Sequence, residues 1–290
     1  MVGTREIFLK ELSDNLGSKR FWLLFFIIYA LGIFITYGSV SGLGLQRTAG
    51  QSVFLKLFTT DSQGVSFLWI VTFIAPLLGF LFTFDTVNRE LSSGTLSNVL
   101  SQPVHRDSVI NAKVLAGIAT VTISLIGVTF LVVGFGIIQL GTLPALEEIA
   151  RIMAFLFLSV VYLSIWVSAG LLFSVIFRRE GTSALASVAV WLFFSFFISM
   201  IAAPTQSGNI LYLISPPYIF FLSASVVLNP LLRIMGPLSI EKLYGMWFRP
   251  LPVEQSLLLV WPQITGLIAV TLIVFALSYV KFMRQEIRAI

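Results

Sequence analysis

His105 is the only histidine in the chain, and cysteine is absent. A lone imidazole activates a nucleophile only beside a hydroxyl or amine and an orienting acid. A zinc or copper site needs several ligands. His105 stands in a polar stretch with Arg106 and Asp107, and no Ser–His, Glu–His or Asp pair falls inside an apolar run. The expectation is therefore no catalytic residue, no metal site and no cofactor in this chain. The polar groups that do lie inside apolar runs are mostly hydroxyls, among them Thr36, Tyr37, Thr72, Tyr162, Ser164 and Ser168. Such groups either line a path for a solute or let helices pack closely, and Ser164 and Ser168, one turn apart, suit close approach. Both readings stand at this stage.

The elements that carry these residues follow from composition. Of 290 residues, 57% are hydrophobic and 11% charged, where a soluble domain is nearer a quarter charged. A net charge of +5 would suggest nucleic acid in a soluble protein. Here it reads as Lys and Arg flanking membrane helices, and no nucleic-acid partner is expected. Crossing the hydrocarbon takes about 20 apolar residues in a helix. Uncharged runs of that length recur, with spans expected at about 21–40, 65–84, 114–140, 152–177, 182–200 and 257–280. The runs are apolar on all faces, which a membrane β-barrel strand is not. The fold class expected is all-α integral membrane, with about six spans in one domain over 1–290. The stretch 203–254 is proline-rich and reads as a long external segment whose apolar part lies at the interface or dips into the membrane. Assigning both termini to the cytoplasm gives a roughly two-to-one inward bias of Lys and Arg, as such loops show.

Two polar segments remain. In 4–17, Phe8, Leu12 and Leu16 recur every four residues beside Ile7, with Arg5, Glu6, Lys10, Glu11 and Asp14 on the other faces. That pattern predicts an amphipathic elbow helix in the membrane interface, broken from the first span at Lys19 and Arg20. The loop after the second span is the other. Gly94 ends the helix leaving the membrane, Thr95 is a candidate N-cap, and Leu96, Val99 and Leu100 share a face up to Pro103. Those apolar side chains either dock on a partner or pack on the membrane helices. Leu91–Thr95 reads L-S-S-G-T, close to an ABC ATPase signature. It carries no such role here, since no glycine-rich phosphate loop accompanies it.

The pattern E-x-x-x-G-T-L…L-S-x-P-V-x-R-x-x-I…K is carried by Glu90, Gly94, Thr95, Leu96, Leu100, Ser101, Pro103, Val104, Arg106, Ile110 and Lys113. It resembles the loop between the second and third spans of type-2 ABC transporter permeases. Lys10–Leu16 is similar to their elbow. The subgroup most similar is that of the nitrous oxide reductase and multicopper enzyme maturation permeases. This chain departs from the family in having Asn88 in an acidic-basic-acidic cluster and Ala112 where glycine is commoner. The resemblance implies a coupling helix around 94–102 seated on a separate ATPase subunit, two copies of which pair with two permease chains, with a homodimer expected. It implies Glu90, Gly94, Thr95, Leu96, Val99, Leu100, Pro103 and Arg106 as coupling residues, with Arg178 and Arg179 in a lesser second contact. ATP and Mg would reside in the partner. The implied setting is a cell membrane and the implied work export. A channel or secondary transporter without an ATPase is the other reading. Such proteins usually hold ionisable groups within the membrane, and these spans have none near their centres.

Overall fold

The computed structural model describes residues 2–42, 53–59, 66–95, 105–202, 214–230 and 250–284, with isolated positions at 212, 234–235 and 238–239. Helix α1 (Val2–Gly17) ends at Ser18, which separates it from α2 (Lys19–Gly42). Ser18 Oγ donates to the Asn15 carbonyl (2.7 Å) and accepts from the Phe21 N–H (3.1 Å), so one hydroxyl closes the first helix and opens the second. Short α3 (Val53–Phe58) precedes α4 (Phe67–Phe73), α5 (Pro76–Leu81) and α6 (Asn88–Ser92). The long helices α7 (Arg106–Leu140) and α8 (Leu146–Ile176) follow, then α9 (Glu180–Leu192), a π-helical turn (Phe193–Phe197) and α10 (Ile198–Ala202). Helix α11 (Pro216–Leu228) and a two-residue antiparallel ladder, β1 (Ile234–Met235) with β2 (Leu238–Ser239), lead to α12 (Val253–Met283).

Among the described residues, five helices are long and apolar enough to cross a membrane: Lys19–Gly38, Arg106–Leu140, Leu146–Ile176, Glu180–Phe197 and Val253–Met283. The second expected span is built differently. Pro76 has no N–H to give and interrupts it, leaving the apolar stretch Phe67–Leu81 in two pieces. The third helix begins at Arg106 rather than near 114, and at 35 residues it is about 50 Å long, well beyond the hydrocarbon. The added residues at its start carry Asp107 and Lys113.

Helix α8 is the axis of the bundle, packed by α12, α5, α7, α11 and α9. Small residues let the chain cross it closely. A Cβ on Gly79 would lie 2.9 Å from the Trp166 Cβ, so only glycine admits α5 at this distance. Helix α11 is the finding within the segment expected to be external. Phe220 is fully buried, stacked on Tyr162 (4.3 Å, 9°) and tilted against Phe155 (6.2 Å). Tyr162 is halfway along α8, while the other end of α11 reaches Arg151 near the start of α8. So α11 occupies the half of the bundle nearer the start of α8 and is packed as core.

Candidate functional site at the base of the loop after the second span

The second span leaves the bundle through Phe84–Ser92, and the chain returns at His105, the N-cap of α7. Every strand of this base is tied to a neighbour. Asp85, almost fully buried, receives Arg20 Nη1 at 2.6 Å from α2 and Arg89 Nη1 at 3.5 Å from α6. The Arg20 guanidinium also lies over the Phe84 ring, 5.8 Å from its centroid. Lys113, whose side chain is 1% exposed, puts Nζ 2.8 Å from Glu11 Oε1 and 3.0 Å from Glu90 Oε1, and donates to the Thr86 carbonyl at 3.2 Å. An ammonium has three donors, and here two carboxylates and a carbonyl take them. Burying that charge unpaired would cost several kcal/mol.

Uncharged bonds complete the base. Ser174 Oγ, on the last turns of α8, accepts from the Val87 N–H (2.9 Å) and the Asn88 N–H (3.2 Å). Ser183 Oγ, on the first turn of α9, donates to the Phe84 carbonyl (2.7 Å). Asn15 of α1 donates to Thr120 Oγ1 of α7 (3.2 Å). Among the described residues, no group of His, Cys, Asp and Glu side chains could hold a metal ion. The bonds tie the base of the loop to α1, α2, α7, α8 and α9.

The expected coupling residues fall as follows. Glu90 is an anchor of the base through Lys113. Gly94 takes φ +73, a backbone conformation that disfavours any Cβ. Thr95 Oγ1 lies 2.8 Å from Ser93 Oγ and 3.4 Å from the Glu90 carbonyl, turned back toward α6. Arg106 opens α7. Arg178 and Arg179 are exposed in the turn between α8 and α9, at the same end of the bundle, since Ser183 bonds Phe84. Leu96, Val99, Leu100 and Pro103 lie outside the described residues. Glu11 requires a correction. Expected on the polar face of α1, it is 8% exposed and points at Lys113. Asp85, Ser174 and Ser183 were not anticipated. Glu11 carried a signal, because it stands three and four residues after Phe8 and Ile7, on their stripe.

The hydroxyls considered for a path are mostly engaged in packing. Thr36 Oγ1 donates to the Gly32 carbonyl, Thr72 Oγ1 to that of Leu68 and Ser164 Oγ to that of Val160, each at 2.7 Å. Tyr162 Oη donates to the Thr72 carbonyl at 2.6 Å. Ser168 is fully buried, and Tyr37 alone of the six is exposed, at 57%.

No curated protein matches this chain. The family described as ABC-2 family transporter protein matches it over residues 5–287, nearly end to end. The chain thus belongs to the ABC-2 transporter family, as a multi-pass membrane permease.

Proposed function

We propose that this chain is the membrane half of an ATP-driven exporter and that its loop after the second span seats on a separate ATPase subunit. The observation that supports this most is the loop base. A loop that served only to join two spans has no need of a buried lysine shared by two carboxylates and of ties to five helices. Such a base suits a loop that is pushed. Coupling between distant sites requires an element that both ends bias, and this base joins the loop to the bundle rigidly enough to be one. Arg178 and Arg179, exposed at the same end, add a second contact with the ATPase.

Two permease copies and two ATPase copies make the assembly, in a cell membrane, with both termini on the ATPase side. The loop pattern quoted above supports placing the chain beside the multicopper enzyme maturation permeases. Because Thr36, Thr72, Tyr162, Ser164 and Ser168 are buried within one chain, the path is better placed along the outer face of α2 that exposes Tyr37, where a second copy would close it.

The test is affinity purification from the native membrane in mild detergent. An ATPase subunit recovered in equal amount is the expected result. Recovery of the chain alone, with transport indifferent to changes across 94–102, overturns the reading in favour of a channel or secondary carrier.

A further inference from the structure

Pro76 turns two backbone carbonyls loose. In an unbroken helix the Thr72 carbonyl would accept from residue 76, but proline has no N–H. The Phe73 carbonyl would accept from the Leu77 N–H, which instead bonds Ile74 O at 3.0 Å. A buried carbonyl without a donor is costly in a layer that holds no water. Both are met by side chains from other helices. Tyr162 Oη of α8 donates to Thr72 O at 2.6 Å, and Trp191 Nε1 of α9 donates to Phe73 O at 2.7 Å.

These two donors are held in turn. The Tyr162 ring is fully buried and stacked on Phe220 of α11. Trp191 meets Phe196 edge-on at 5.5 Å, within the π-helical turn. That turn has its own displaced bond, Ile198 N–H to Phe193 O, and its Phe194 carbonyl also accepts from Ser215 Oγ, the residue before α11, at 3.2 Å. The break in the second span, the π turn after α9 and the start of α11 are therefore linked by side chains at one level of the bundle. A π turn inside an α-helix often marks a functional position.

We infer that Tyr162 and Trp191 are positioning residues that hold the second span bent at Pro76, fixing the direction in which α5 and α6 carry Glu90 to the loop base. This assignment does not depend on an ATPase partner. It predicts an epistasis that ordinary packing does not. Pro76→Ala restores an N–H that can take the Thr72 carbonyl, so the Tyr162 hydroxyl becomes dispensable.

The experiment is a double-mutant cycle on the purified full chain in detergent, read by melting midpoint and by spin-label distance. The chain has no cysteine of its own, so labels go at Ser92, exposed at the end of α6, and at Leu143, exposed beyond α7. Tyr162→Phe keeps the ring on Phe220 and removes only the donor. It is expected to lower the midpoint by about 3 °C alone and by less than half as much with Pro76→Ala present, while Pro76→Ala shifts the Ser92–Leu143 distance. Equal midpoint losses in both backgrounds, or an unmoved distance, overturn the inference. Should Pro76→Ala fail to accumulate, Tyr162→Phe combined with Trp191→Phe is expected to broaden the distance distribution. An unchanged width would count against it equally.

Discussion

Lys113 shows how one side chain can decide a site. It is buried between Glu11 and Glu90, and a buried ion set is costly to break but often not to replace whole. Lys113→Met leaves two carboxylates facing each other and is expected to destabilise the chain by about 3–5 kcal/mol. The triple change Glu11→Gln, Glu90→Gln and Lys113→Met should recover most of that loss. Thermal melting in detergent checks both, and a triple variant as unstable as Lys113→Met would sink this account. Gly94 is the second case. Its φ of +73 suits glycine, and a β-branched residue there costs about 1–2 kcal/mol, while asparagine tolerates the region. Among the described residues, no atom other than its chain neighbours lies within 4 Å of the site of its Cβ, and the positive φ makes the effect conformational. Gly94→Val is expected to leave expression intact and to abolish stimulation of ATP hydrolysis by substrate, with Gly94→Asn near normal. Normal stimulation in the valine variant would show that the turn does not aim the loop.

Among the helices, α11 is fastened at its C-terminal end by Arg151. The guanidinium, buried to 1% exposure, donates to the Val227 carbonyl (2.8 Å), to Ser256 Oγ (3.3 Å), to the Leu251 carbonyl and to Glu147 Oε1 (3.0 Å). A cation at a helix C-terminus also meets the negative end of its dipole. Arg151→Met should therefore release α11 from α8 and α12. A cysteine replacing Ala224, fully buried on α11, leaves the Phe220 stack in place and should become reactive to a water-soluble maleimide in the Arg151→Met background; continued protection would mean that the aromatic stack alone holds α11. Little of this is legible in the sequence, where Arg151 is one charge among several and Pro216 and Pro217 belong to a proline-rich stretch. In the structure both prolines stand in the first turn of a helix, where proline is tolerated. Pro76 was equally visible, and a span drawn straight through it disregards the same rule. The π turn in Phe193–Phe197 has no local sequence signal, and the side-chain donor that meets its Phe194 carbonyl, Ser215 Oγ, comes from the residue before α11. The base of the loop was half legible. Glu90, Gly94 and Lys113 stand in a recognisable pattern, whereas Ser174 and Ser183 acquire meaning only when α8 and α9 bring them to Phe84 and Val87.

For the molecule as a whole, the ties fix which ends lie together. Glu11, Arg20, Asp85, Glu90, Lys113, Ser174 and Ser183 share one end of the bundle. At the other end, Glu148 accepts from the Phe54 N–H of α3, and Arg151 gathers the start of α12. Helices α8 and α12 both start at that second end and run 31 residues each, so Met283 returns to the end where α1 lies. The expectation that follows is an even number of crossings, with the broken Phe67–Leu81 stretch counted as one of them. The charge bias points the same way once Arg151 is set aside, since its donors are spent on carbonyls and Glu147 and not on headgroups. Fusion tags at the two termini are therefore expected on the same side of the membrane. A cysteine replacing Arg178, exposed between α8 and α9, should label from that side, and one replacing Leu143, exposed between α7 and α8, from the opposite side. In sealed vesicles an impermeant maleimide distinguishes the two. Labelling of both positions from one side would mean that α8, the axis of the bundle, does not cross the membrane, and the whole arrangement would have to be redrawn.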